Sequence, residues 1–326
     1  MKAPAHLGGG VGLALALVLL TGCTGEQSPS LPAGPVVQPG DTPAASPSAL
    51  LSAVSPPSPA NSPPPAAAPA PTASAPVPAP TGAQEPPSPA GSPAALAARV
   101  VQAERAIRSD DTDDAALANA GRLQQAAYRE LAARPQWRQA VLEAVPADLR
   151  SVVVAHTDAI RDLLKLTRPQ AKLPAWRIVA PPPPAELLGY YREAEQEFGV
   201  GWEYLAAIHL SETRMGRIRG TSPAGARGPM QFMPGTWDAY GRGDIDDPRD
   251  AVMAAGRYLR ASGAPANMRG ALFAYNRSEA YVRAITVHAE QMRADPRTYR
   301  GYWHWQVYYR TVDGDRLLPV GYDGAA

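Results

Sequence analysis

Cysteine occurs once in this chain, at Cys23, and lysine three times, at Lys2, Lys165 and Lys172. One thiol excludes an internal disulfide framework and any thiolate metal site. The formal net charge is +1 and no lysine/arginine block occurs, so no nucleic-acid partner is expected. The most apolar run, residues 11–20, is about half of what a helix needs to cross a bilayer core of roughly 30 Å. Aromatic residues and nearly all charges are missing from residues 24–93, where Glu26, Asp41 and Glu85 are the only charged side chains. That stretch cannot bury enough apolar area to offset its ordering entropy.

What is present in abundance is proline, 37 residues, 21 of them within residues 24–93. This composition predicts a disordered Pro/Ala/Ser linker, in part polyproline II, reaching about 3.1 Å per residue at full extension. Ahead of it, Lys2, the short apolar run and then Leu20-Thr21-Gly22-Cys23 read as an export signal. The sequence resembles a bacterial lipobox, which implies acylation of Cys23 and a membrane contact through that lipid anchor.

Helical periodicity begins after the linker. Leu96, Val100, Ala103 and Ile107 predict one helix. The acidic run from Asp110 to Asp114 supplies a helix start. Leu117, Leu123, Ala127 and Leu131 predict a second helix that Pro135 ends, and Leu149, Val153, His156, Ile160 and Leu163 a third. His156 lies on the apolar stripe and reads as a packing residue. Pro181 to Pro184 form a stiff break, after which helical patterns run from Glu186 to about Met292.

Chemistry concentrates in residues 202–237. Leu205, Ile208 and Glu212 share one helical face. A carboxyl at the end of an apolar stripe has its charged form disfavoured, as a general acid near neutral pH requires. The bland alternative is an exposed glutamate answering Arg214 or Arg217. Behind it runs a loop punctuated by Gly216, Gly220, Gly225 and Gly228 and stiffened by Pro223, Pro229 and Pro234. The loop returns with Met230 and Gln231. Gln231 offers an amide to sugar hydroxyls or an acetamido group, and Met230 a soft apolar wall. Asp244, Asp246, Asp247 and Asp250 cluster near a Pro248 helix start and read as loop and cap residues. They lack the glutamate that closes a calcium loop, so no metal and no cofactor is expected.

Glu212-Thr213, then Gly228-Pro229-Met230-Gln231-Phe232-Met233-Pro234, then Ala274-Tyr275-Asn276, resemble in order the motifs of lytic transglycosylases of the soluble-lytic-transglycosylase type, in the lysozyme-like superfamily. The arrangement from Trp176 onward is similar to actinobacterial envelope members. The resemblance implies a mainly α protein with a lysozyme-like catalytic domain. It implies a single catalytic acid, Glu212, with Tyr275 donating to it and orienting it. Substrate contacts are implied for Ser222, Gly228, Met230, Gln231, Tyr275 and Asn276. Departures are Thr213 for a serine, Pro229 for a leucine, and Arg277-Ser278 for a small pair. The expected division is a signal peptide at 1–22, linker at 23–93, helical segment at 94–170, Pro-rich connector at 171–185, lysozyme-like domain at 186–298 and aromatic-rich tail at 299–326. The implied partner is the peptidoglycan glycan strand outside the cytoplasm, cleaved between N-acetylmuramic acid and N-acetylglucosamine with 1,6-anhydro ends. A hydrolase on the same fold, or a non-catalytic peptidoglycan-binding lipoprotein, are the alternatives. Trp237, Tyr240 and the tail rings Trp303, Trp305, Tyr308 and Tyr309 are further sugar-contact candidates, or core.

Overall fold

Each predicted helix has a physical start and stop in the computed structural model, which describes residues 85–324. The signal peptide, Cys23 and nearly all of the linker lie outside those residues. Ser92 caps α1 (Pro93–Arg108) by accepting from the Ala95 N–H at 3.2 Å, with Pro93 preset in the first turn. Leu96, Val100, Ala103 and Ile107 are all buried, as their spacing predicts. Asp113 caps α2 (Asp114–Ala133) through the Ala116 N–H at 2.8 Å. Leu123 is only half-buried. The inner face of α2 instead carries Gln124 and Tyr128, which both donate to the buried Glu104 carboxylate of α1. A short turn at Pro135–Trp137 leads into α3 (Arg138–Ala144) and then α4 (Arg150–Lys165). His156 of α4 is fully buried, with Nδ1 on the Val152 carbonyl at 2.9 Å and Nε2 on the Tyr302 hydroxyl at 2.7 Å, and is a packing residue.

The strand β1 (Arg177–Ile178) precedes α5 (Pro184–Phe198), which stops at Gly199 in the left-handed region (φ +69°). The helix α6 (Trp202–Thr213) follows, and then β2 (Ile218–Arg219), antiparallel to β1 with Arg177 opposite Arg219. Four helices complete the middle of the chain: α7 (Pro234–Tyr240), α8 (Pro248–Ala261), α9 (Met268–Tyr275) and α10 (Glu279–Ala294). The aromatic-rich tail forms α11 (Arg297–Trp303) and a hairpin of β3 (Val307–Thr311) and β4 (Gly314–Leu318). The described residues are thus mainly helical, with eleven α-helices and two small antiparallel sheets. None of these helices is long and apolar enough to cross a membrane.

One buried cluster joins the helical segment to the later helices: Tyr128 and Val153 pack with Leu205, Ile285 and Tyr302. Burying each large apolar side chain contributes about 1.5–3 kcal/mol. Helix α4 lies against α10, where Arg283 forks onto Asp162 at 2.8 and 3.2 Å. The tail is part of the same core, since Trp305 donates to Gln124 Oε1 at 2.9 Å and Trp303 to the Pro182 carbonyl at 2.9 Å. At the centre, every residue of α6 except Tyr204 is buried. A helix buried on nearly every side is a core helix, and α6 delivers Glu212 from inside the protein.

Candidate active site

Glu212 is 2% exposed, one residue before the end of α6. The exposed-glutamate alternative is therefore excluded. Burial pushes its carboxyl well above the usual value of 4.5, while the Tyr281 hydroxyl and the nearby Arg214 guanidinium pull the other way. The hydroxyl of Tyr281, in the first turn of α10, donates to Glu212 Oε1 at 2.9 Å. Arg214 is itself buried, gives a hydrogen bond to the Leu210 carbonyl, and is pushed down to about 10 by loss of solvent.

This corrects the expectation for Tyr275. Its hydroxyl donates to the Met230 carbonyl at 2.7 Å, so it holds the loop, and the phenol on the acid is Tyr281. Tyr275 is the last residue of α9, and Tyr281 lies six positions further on, in the first turn of α10. Sequence reasoning missed Tyr281, which belongs to none of the local motifs around Glu212.

The chain leaves α6 through three successive left-handed residues, Arg214, Met215 and Gly216 (φ +55°, +60° and +83°). The Met215 N–H reaches back to the His209 carbonyl at 3.2 Å and closes the helix end. Thr213 ties helix to loop: its hydroxyl donates to the Pro229 carbonyl at 2.6 Å and accepts from the Gly216 N–H at 3.0 Å. The loop then folds on itself. Arg227 and Phe232 exchange backbone hydrogen bonds, each 2.9 Å, around a turn in which Gln231 takes φ +51°. The Gln231 amide donates to the Gly228 carbonyl at 3.0 Å. At Gly228 (φ +74°) an added Cβ would lie 2.0 Å from the Ile245 carbonyl oxygen, so only glycine fits there.

Ser222 is buried and accepts the Ala226 N–H at 2.9 Å, which shapes its own turn. Met230 is fully buried, so its side chain packs into the core behind the loop. The reason is the turn at Gly228–Gln231, which aims Met230 inward at the core. Asn276 is buried and its Oδ1 has no hydrogen-bond partner. A row of rings runs outward from the loop: Phe232 to Tyr275 (6.0 Å), Tyr275 to Tyr258 (5.6 Å) and Tyr258 to Tyr240 (4.9 Å), with Trp237 on Phe232 (5.6 Å). Trp305, Tyr308 and Tyr309 are buried and build the core.

The four aspartates hold structure. Asp247 caps α8 through the Asp250 N–H at 2.9 Å, Asp250 accepts from the Asp244 N–H at 3.0 Å, and Asp244 from the Asp246 N–H at 2.9 Å. Asp246 pairs with Arg227 at 3.1 Å. Among the described residues no group of three or more His, Cys, Asp and Glu is arranged to hold a metal ion. A cavity of about 640 Å³ opens beside the loop, between Gly220, Gly228 and the β1–β2 pair, and Glu212 is not among its lining residues.

Residues 189–294, which hold Glu212, Tyr281 and the whole loop, match the family described as the transglycosylase SLT domain. The chain is 30% identical over 145 residues to a membrane-bound lytic murein transglycosylase F of Thiobacillus denitrificans, covering 42% of this chain and 31% of that protein. It is 29% identical over 138 residues to the protein of the same name from Methylobacillus flagellatus, covering 40% of this chain and 26% of that one. The chain thus spans under a third of the length of these relatives. No solved structure matches it. The helices that carry the buried acid and its loop thus match the transglycosylase SLT domain, in a chain with distant similarity to the membrane-bound lytic murein transglycosylases F.

Proposed function

We propose that the protein is a lytic transglycosylase that cuts peptidoglycan between N-acetylmuramic acid and N-acetylglucosamine, with Glu212 as the catalytic residue. The observation that carries this reading is one carboxyl, 2% exposed, held by a phenol at 2.9 Å beside a tied-down glycine loop. Burial raises the pKa of Glu212 and favours its protonated form, which suits a general acid. Glu212 gives its proton to the glycosidic oxygen as the C1–O bond breaks. The acetamido carbonyl oxygen of the same muramoyl sugar attacks C1 and gives an oxazolinium. Glu212, now a carboxylate stabilised by the Tyr281 hydroxyl and by Arg214, accepts the proton of the C6 hydroxyl. That oxygen then displaces the acetamido oxygen from C1. The product is a 1,6-anhydro end, and no water is consumed. Most glycosidases pair two carboxylates. Here the nearby aspartates are spent on caps and turns, which favours a substrate-assisted route.

Gln231 and the Gly228 backbone border the sugar. Asn276, with its free amide oxygen, and Ser222 meet the acetamido side, and Tyr275 fixes the loop. Cys23 anchors the chain to the cell membrane on the wall side. The test is mass spectrometry of purified peptidoglycan after incubation with the wild type and with Glu212→Gln. Fragments ending in 1,6-anhydro sugars, made by the wild type only, are the expected result. Fragments heavier by one water would make it a hydrolase, and a Glu212→Gln variant that still cuts would remove Glu212 from the mechanism.

A further inference from the structure

The turn that follows Glu212 is anchored at three points outside the matched domain. The Arg217 guanidinium forks onto the carbonyls of Trp305 and Trp303 in the tail, at 3.0 and 2.7 Å. The Val179 N–H donates to the Arg217 carbonyl at 2.9 Å, and Ile178 of β1 pairs with Ile218 of β2. Arg214 is the third anchor. It is 6% exposed and faces a small gap in the core, lined also by Arg129 of α2, Leu163 and Leu164 of α4 and Trp305 of the tail. These four neighbours all lie outside residues 189–294.

A buried cation is costly unless something answers its charge. The Arg214 side chain gives a hydrogen bond to the Leu210 carbonyl, and among the described residues no carboxylate forms an ion pair with it. Its guanidinium, pushed down to about 10, is still charged at neutral pH. Arg129 is spent elsewhere, paired with Asp315 and lying 4.7 Å over the Tyr308 ring. His288 of α10, also near Arg214, is kept neutral by burial. The carboxyl that acts on Arg214 is Glu212, whose own remaining neighbours are the phenols Tyr281 and Tyr275. A dry cation beside a neutral acid gains little until that acid ionises, and then gains most because water is excluded. We propose that Arg214 is a positioning residue for Glu212, and that the segments flanking the matched domain complete the acid's site by keeping this guanidinium dry and in place. The helices α2 and α4 and the tail thus have a chemical role besides packing. The proposal rests on the reading of Glu212 as the acid, and its main test does not depend on cleavage.

The full chain is labelled with carboxyl-13C glutamate, and the Glu212 resonance is identified by its loss in Glu212→Gln. Its titration midpoint is followed by nuclear magnetic resonance in Arg214→Met, in Arg214→Lys, and in Leu163→Ala with the milder Leu164→Ala beside it. Thermal midpoints check that each variant folds. The expected result is a rise of about one pH unit in Arg214→Met, a ten-fold change in proton affinity, with most of it restored in Arg214→Lys. Opening the α4 wall admits water to the guanidinium, so the alanine variants should raise the midpoint too, and add nothing on top of Arg214→Met. In parallel, the alkaline limb of cleavage should move the same way, with kcat falling and KM unchanged. A midpoint unmoved in Arg214→Met, or moved equally in Arg214→Lys, would overturn the proposal, as would folded α4 variants that leave it in place. The expected shifts in a protein that cuts no glycan would leave Arg214 assigned and remove the transglycosylase reading instead.

Discussion

At the residue scale, the acid and its phenol divide a task. Burial favours the protonated form of Glu212, and the Tyr281 hydroxyl favours its ionised form. Removing that donor in Tyr281→Phe therefore raises the Glu212 pKa further and moves the alkaline limb of the pH–rate profile to higher pH. The rate itself should fall roughly 10- to 100-fold, since a hydrogen bond to a charged group contributes about 1.5–3 kcal/mol. A pH profile of the variant checks both, and a limb that stays in place would deny Tyr281 this role. Glu212 was legible in the sequence because its neighbours form a local motif. Tyr281 was not, because it meets the acid across 69 residues and no local pattern encodes that contact.

At the scale of elements, the loop is rigid because its backbone is paired and its glycines sit where side chains cannot. Gly228→Ala would force a Cβ against the Ile245 carbonyl in the left-handed region. The expected cost is about 2 kcal/mol or more, from backbone strain alone about 1–2 kcal/mol. Denaturant unfolding measures it, and cleavage should fall with it. The glycine and proline pattern announced a loop at this position, and the caps at Asp113 and Asp247 were equally readable. The direction of Met230 was not. A turn with Gln231 at positive φ decides it, and residue type alone does not report φ. The same holds for α6: one apolar face was visible, but its burial on all sides comes from the helices around it.

At the scale of the whole molecule, residues 85–324 share a buried cluster that runs from α1 to the tail. A fragment of residues 186–298 would expose the face of α10 that meets α4 and would lose Trp305 from the core. We expect it to lack near-ultraviolet circular dichroism and cooperative unfolding, both of which residues 85–324 should show. The core also buries three histidines. Burial holds His156 at about 4, His209 at about 3 and His288 well below 6.5. Each is neutral when folded and takes a proton from pH 6.5 downward when unfolded, so stability is present above pH 6.5 and is lost as the pH falls toward 4. Glu212 opposes this, because its raised pKa makes the folded state bind one proton more above pH 4.5. His304, half-buried, is likewise pulled down to about 4, so the histidines outnumber the one carboxyl and unfolding takes up protons as the pH falls below 6.5. Urea unfolding between pH 7 and 5 reads this slope, and a flat profile would mean that the histidines are hydrated.

What the sequence by itself determined is local: helix periods, caps, the glycine loop and the acid that precedes it, each set by residues within one or two turns of each other. Tertiary structure decided what required distant segments to meet. It chose the phenol on Glu212, turned Met230 inward, brought Arg177 beside Arg219 and Asp323, and placed the tail rings in the core. The physical reason is that burial and hydrogen-bond partners depend on what packs against a residue, and side chains far apart in the chain carry no mark of one another.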